Sequence, residues 1–181
     1  MVSVGCPLDF KDCIAQHVRD IPNWPKEGVI LRDLTICLSN PSCYDSVVDQ
    51  FVITMRKKNI DPDAIVAIEA KGFIYGSLLA YDLQLPIIPV RKKDKLPGKT
   101  RSVEYETEYS TDVIEVDIDS LKNIKTALFV DDVLATGGTM KAVSKLLAPE
   151  VDVIYNFFVI QLNYLDGHKL PYKKYSILEI E

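Results

Sequence analysis

Apolar and polar positions change period several times along this chain, and each change marks an element. Tyr44, Val47, Val48, Phe51, Val52 and Met55 recur at three- and four-residue intervals, which predicts one face of a long helix. Asn40-Pro41 supplies its N-cap and first helical residue, and Arg56-Lys57-Lys58-Asn59 ends it with charges suited to a helix C-terminus. Short, mainly apolar runs follow at 64–68, 86–91, 128–130 and 153–160, each read as a buried strand. Between them the spacing predicts helices over about 72–83 and again through Met140, Val143, Leu146 and Leu147, the latter ended by Pro149. Strand, helix, strand, helix implies a parallel α/β sheet. Residues 103–109 alternate Val103, Tyr105, Thr107 and Tyr109 with Glu104, Glu106 and Glu108, and 113–118 alternate again. With Ser110-Thr111-Asp112 as the turn, this predicts a β-hairpin projecting from the sheet, its glutamates in solvent. Asp166-Gly167 marks a turn, and 175–180 closes the chain as an edge strand. Near the start, Leu8, Cys13, Ile14 and Val18 suggest a short helix, with His17 at its surface or in packing. Pro22 and Pro25 break it, and Trp24 between them reads as a core or interface anchor.

Composition narrows the class. A chain of 181 residues, 48% hydrophobic and 26% charged, fits one globular domain spanning 1–181. The net charge of −5 argues against a nucleic-acid or anionic-membrane binder. No apolar run approaches the roughly 20 residues of a membrane helix, and no basic-then-apolar leader is visible. Cys6, Cys13, Cys37 and Cys43 form no C-x-x-C pair, and His17 and His168 are the only histidines. A dedicated Cys/His metal site is therefore not expected. Reduced thiols in a cytoplasmic protein are the simplest account.

The chemistry concentrates at residues 128–140. A buried strand leads into Asp131-Asp132, then into Ala135-Thr136-Gly137-Gly138-Thr139 and a helix. Glycines let backbone N–H groups surround an anion, the threonines add hydroxyl donors, and the helix directs its positive end at the same place. Phosphate needs donors, whereas vicinal sugar hydroxyls need acceptors. Side by side they suggest a sugar phosphate. A strand-to-helix turn often carries Asp as a cap and Gly for the bend with no ligand at all, and this loop has neither the Lys-Ser/Thr ending of a P-loop nor dinucleotide-fold glycine spacing. Lys71 and Arg91 sit with Asp131/Asp132 at carboxyl ends of predicted strands, where open α/β sheets bind ligands. The basic run 91–99 is ordinarily a solvated loop, but beside a phosphate loop it would neutralise an anionic substrate.

Val130-Asp131-Asp132-Val133-Leu134-Ala135-Thr136-Gly137-Gly138-Thr139 resembles the phosphoribosyl-pyrophosphate (PRPP) motif of type I phosphoribosyltransferases, and most of the chain is similar to that family's adenine-specific branch. The resemblance implies that Asp131 and Asp132 hold the ribose hydroxyls while Ala135, Thr136, Gly137, Gly138 and Thr139 hold the 5′-phosphate. It implies pyrophosphate groups at Lys71, Gly72, Arg91, Lys95 and Tyr109, with Arg91 also catalytic and Lys standing at 71 where the family usually has Arg. Trp24-Pro25-x-x-Gly28-Val29-Ile30-Leu31-Arg32-Asp33 is similar to the family's N-terminal hood, here about 20–38. Ile30, Leu31, Arg32 and Leu162 would bind adenine. Leu31 replaces a common Phe, removing stacking worth about 0.5–1.5 kcal/mol while keeping an apolar lid. Glu108, in a catalytic loop at about 95–113, matches the family's acid/base glutamate, and Glu104 and Glu106 are the alternatives on that strand. The implied fold is a type I phosphoribosyltransferase-like parallel sheet flanked by helices, with the hood and the hairpin attached. The implied reaction converts adenine and PRPP to AMP and pyrophosphate, with Mg²⁺ bound mainly through substrate, in a homodimer. A phosphoribosyltransferase for a 6-oxopurine or orotate, or a non-catalytic PRPP-sensing regulator, are the rival readings.

Overall fold

The computed structural model describes residues 9–106 and 111–181, so Glu108 and Tyr109 lie outside the described residues. The chain divides into two compact units, residues 1–53 and 54–181.

In the first unit, helix α1 (Phe10–Ala15) precedes strands β1 (Arg19–Pro22) and β2 (Ile30–Asp33), which pair antiparallel as a two-stranded ribbon. The sequence suggested no strand on either side of Trp24, because four-residue pieces interrupted by proline carry no legible period. Trp24 is 53% exposed, so it is not a core anchor. The Trp24–Pro25 peptide is cis, and the connection between the strands closes with Gly28 N–H donating to Asn23 Oδ1 at 3.0 Å. A short helix α2 (Thr35–Leu38) leads into the long α3 (Pro41–Lys58). The predicted cap is present: Asn40 Oδ1 accepts from Ser42 N–H at 3.0 Å and Cys43 N–H at 3.3 Å. Asn40 Nδ2 also meets His17 Nε2 at 2.8 Å, making His17 a packing residue. The expectation of reduced thiols fails here. Cys37 and Cys43 form a disulfide, because the turn at Asn40-Pro41 folds the end of α2 back on the first turn of α3 and brings their Cα atoms to 5.2 Å. Cys13 is buried and takes no part in a disulfide among the described residues.

The second unit is built on a seven-stranded sheet. Its strands are β3 (Ala64–Ile68), β4 (Ile87–Lys92), β5 (Thr100–Glu106), β6 (Thr111–Asp117), β7 (Thr126–Leu134), β8 (Val153–Leu162) and β9 (Lys173–Ile180). The order is β5-β6-β4-β3-β7-β8-β9. From β4 to β9 all neighbours are parallel, whereas the β5–β6 hairpin joins antiparallel. Only Arg91 and Lys92 of β4 pair with β6, so the rest of the hairpin runs past the sheet. Helix α4 (Lys71–Leu83) lies on the face carrying Ile65 and Ala67, with Gly76 directly over Ala67. Helix α5 (Gly138–Leu147) contributes Met140, Val143, Leu146 and Leu147 to the opposite core, with Ala64, Val66, Phe129 and Phe158. Strand alternation produces this two-sided burial. The central strand β3 is buried at all five positions.

Candidate active site

The two acids differ from expectation in one respect. Asp131 and Asp132 lie inside β7, not past its end, since the strand continues to Leu134. On the β3 side they have no paired strand, because the β3–β7 register stops at Ala67↔Val130 while β7–β8 pairing runs on through Asp131↔Phe158. Strand β3 leaves the sheet there as the loop Glu69-Ala70-Lys71, whose Glu69–Ala70 peptide is cis. Gly72 keeps that loop close: a side chain at this position would meet the Val130 carbonyl oxygen at 2.7 Å and Asp131 Cα at 3.5 Å. Lys71 Nζ then reaches Asp132 Oδ2 at 3.0 Å. Asp131 Oδ1 accepts from Asp132 N–H at 2.9 Å. The exclusion of water around its carboxyl, followed by the Asp132 charge beside it, pushes Asp131 well above the usual carboxylate range.

Beyond the acids, Gly137 adopts a left-handed φ of 80° and caps α5, leaving Lys141 N–H to bond the Gly137 carbonyl at 3.0 Å. Residues 133–140 and Phe158 surround a cavity of about 50 Å³ at this helix start. Thr136 Oγ1 accepts weakly from Gly138 N–H at 3.4 Å. The loop is braced from below by Gly167, whose N–H bonds the Ala135 carbonyl at 3.0 Å. The hairpin covers it from the side. A side chain at Gly138 would meet the Glu106 carbonyl oxygen at 2.5 Å, and the Tyr105 side chain hydrogen-bonds Thr139. Burial raises the Tyr105 phenol above its ordinary value, and the Asp112 and Asp131 charges add to this against the Thr139 bond. Beside it, Glu104, Tyr105, Glu106, Thr111, Thr136, Gly138, Lys141 and Lys145 line a larger cavity of about 580 Å³. Glu104 and Glu106 are exposed, as their alternation requires. Arg101 pins the hairpin to α5, donating to the Leu146 carbonyl at 3.0 Å and pairing with Glu150.

A second cluster forms on β4. Arg91 donates through Nε and Nη2 to Glu69 Oε2 at 3.2 and 3.0 Å, and through Nη1 to the Lys95 carbonyl at 3.3 Å. Glu69 Oε1 also accepts Lys92 N–H at 2.7 Å. Glu69 therefore ties the Lys71 loop to Arg91. On the next strand, buried Glu115 accepts Lys95 and Leu96 N–H, both at 2.9 Å. Burial pushes its carboxyl up, but donors from Leu96, Lys95, Asp94 and Thr100 outweigh this and hold it below the usual value. Glu69, Tyr105 and Glu115 are absent from the sequence-derived set. Glu69 has one local signal, its place at a strand end two residues from Lys71. Glu115 has none, since alternation with Ile114 and Val116 points it at solvent.

The structure thus joins Lys71, Gly72, Asp131 and Asp132 in one corner, sets Ala135 to Thr139 next to them, and links Arg91 with Lys95 through Glu69. Ile30, Leu31 and Arg32 lie on the ribbon of the first unit, where Ile30 is exposed, Leu31 is half-buried and Arg32 pairs with Asp20. Leu162 ends β8 and is 6% exposed. For a divalent cation, the described residues offer no cluster of three His, Cys, Asp or Glu side chains. The donor set does suit Mg²⁺ carried by substrate phosphates, because two adjacent carboxylates, one short of solvation, are hard oxygen donors that a hydrated cation would relieve.

The phosphoribosyl transferase domain family matches residues 38–151. An adenine phosphoribosyltransferase of Acaryochloris marina is 46% identical over 166 residues, covering 91% of this chain and 94% of the relative. One from Crocosphaera subtropica is 43% identical over 153 residues, covering 84% and 89%. The crystal structure of adenine phosphoribosyltransferase from Thermoanaerobacter pseudethanolicus superposes with a TM-score of 0.87 at 36% identity, over 94% of this chain and 99% of that one. The Saccharomyces cerevisiae enzyme, complexed with an imino-altritol bisphosphate and adenine, gives 0.85 at 30% identity over 93% and 98%. With a matched domain, relatives of this identity along nearly their whole length and the same fold, the chain belongs to the adenine phosphoribosyltransferases of the phosphoribosyl transferase domain family.

Proposed function

We propose that this protein transfers the phosphoribosyl group of PRPP to adenine, yielding AMP and pyrophosphate. The observation that carries the reading is the Lys71–Asp132 contact at 3.0 Å. It places a cation suited to the leaving group against a carboxylate suited to the sugar that stays. The names of the matched relatives support adenine as the base.

Breaking the bond from the anomeric carbon to pyrophosphate leaves a cationic sugar and a multiply charged leaving group, which the site must stabilise while keeping water out. Ala135, Thr136, Gly137, Gly138 and Thr139 hold the 5′-phosphate at the start of α5 through N–H and hydroxyl donors. Asp131 and Asp132 accept the ribose hydroxyls and orient the ring. Arg91, Lys95 and Lys71, with Gly72 and Tyr109, receive the pyrophosphate. Asp131 and Asp132 would hold Mg²⁺ through its waters; when bound, the ion neutralises charge that develops on pyrophosphate. Glu108 moves a proton on the purine, and Ile30, Leu31 and Arg32 recognise the base. Homodimer formation is supported by Ile74 and Tyr81, 44% and 80% exposed and seven residues apart on one side of α4.

The test is turnover of PRPP with Mg²⁺ against a panel of bases. Adenine is expected to react and 6-oxopurines and orotate not to. Success with another base and failure with adenine would overturn the substrate, and PRPP binding without turnover of any base would favour a regulator.

A further inference from the structure

Glu115 stands out among the charged groups that the proposed reaction leaves unused. It is 3% exposed, and among the described residues no ion pair offsets its charge. Burying an uncompensated carboxylate is costly unless hydrogen bonds replace its water. Here most of the replacement comes from a single turn. Asp94 takes a left-handed φ of 64°, and the chain at 94–96 wraps around the carboxylate. Lys95 and Leu96 N–H each reach Oε1 at 2.9 Å, with further donation from Asp94 N–H and the Thr100 hydroxyl. Successive amides converging on one anion are a nest, normally a device for holding a ligand. In this protein the anion is part of the chain.

The placement of that nest matters. Glu115 is the cross-strand partner of Arg91 in the β4–β6 pair, and Lys95, held by Glu115, presents its carbonyl to Arg91 Nη1. Strand register, carboxylate and turn therefore close a ring that contains both cations assigned to pyrophosphate. We infer that Glu115 is a positioning residue for pyrophosphate binding, fixing the turn that carries Lys95 and so the relative placement of Lys95 and Arg91. The inference rests on the proposed role of Lys95. Glu115 is buried, and its carboxylate accepts from its own chain, so in this proposal it acts through Lys95 rather than on the substrate.

Isothermal titration with pyrophosphate and Mg²⁺, and separately with adenine, tests this on Glu115→Gln, Lys95→Ala and the double variant. Glutamine keeps the volume but removes the charge and replaces one of the two acceptor oxygens with an NH2 donor. Loss of hydrogen bonds to a charged group predicts about tenfold weaker pyrophosphate binding and a matching rise in the PRPP KM. Adenine affinity is expected to stay unchanged. In the Lys95→Ala background, Glu115→Gln is expected to add nothing further, because both act through one group. Additive losses, or a lowered melting temperature with unaltered pyrophosphate affinity, would overturn the role and leave Glu115 structural. If Lys95→Ala alone leaves pyrophosphate binding intact, the assignment of Lys95 falls, and the inference with it. Should Glu115→Gln not fold, Thr100→Val removes one donor and leaves the charge; about two- to threefold weaker pyrophosphate binding is expected, and wild-type affinity would overturn the proposal.

Discussion

The proposed ribose-phosphate corner and the proposed pyrophosphate rim are built in opposite ways. The first is one continuous stretch, Asp131 to Thr139, in which a strand, a turn and a helix start supply donors and acceptors in chain order. The second is assembled from the β3–α4 loop, β4, the following turn and β6, and it is held by two carboxylates, Glu69 and Glu115. A contiguous site is insured by local geometry. An assembled one depends on the carboxylates that hold its parts together, so its weak points include groups other than its cations.

The largest expected effect is at Glu108, which lies outside the described residues. Glu108→Ala should leave PRPP binding intact and lower turnover about 10²- to 10⁴-fold, as for loss of an acid/base group. Single-turnover kinetics check this, and unchanged turnover would remove Glu108 from the chemistry. Next comes the corner. Asp131→Asn combined with Asp132→Asn should weaken PRPP about 10²-fold, two charge-assisted hydrogen bonds being lost, while pyrophosphate affinity changes less. Equal losses of both ligands would erase the distinction drawn between the regions.

The acids also set a pH dependence. Asp131 is raised in the folded protein, so the fold binds a proton that the unfolded chain releases from about 3.9 upward. Stability from this group therefore falls as pH rises through that window. PRPP binding needs the acceptor form, so affinity should climb with pH over the same window and level off above it. Titration calorimetry in buffers of different ionisation enthalpy should register net proton release on PRPP binding. Proton uptake would contradict the ribose-acceptor role.

Two smaller effects probe the rim. Glu69→Gln should weaken pyrophosphate about tenfold by releasing Arg91, with 5′-phosphate affinity, read with ribose 5-phosphate, unchanged. Lys71→Arg should tighten pyrophosphate by roughly threefold, since a planar fork can bond two oxygens at once. No gain there would show that Lys71 serves chiefly to balance Asp132.

Much of the scaffold was legible because parallel strands buried on both faces must be apolar throughout. The run at 64–68 is β3 to the residue. The Asn40 cap, α4 and α5 followed from equally local rules. Other features depended on pairings that no window reveals. Strands β1 and β2 are short and stabilise each other across a proline-broken connection. The Cys37–Cys43 disulfide arises from a helix–helix turn rather than a spacing motif. Trp24, apolar by type, is exposed.

By itself, the sequence determined the strand-helix alternation, the glycine-threonine turn at the start of α5 and the acid pair, because each is a short-range consequence of side-chain type, backbone freedom or hydrophobic period. Only the tertiary structure decided how that chemistry is arranged. The early departure of β3 opens the edge of β7 beside the acids, the hairpin crosses over Gly138, and Glu115 turns inward under a loop folded around it. A carboxylate flanked by Ile114 and Val116 reads as solvent-facing until another segment covers it. Coverage is a property of segments distant in sequence, and alternation within one strand cannot register it.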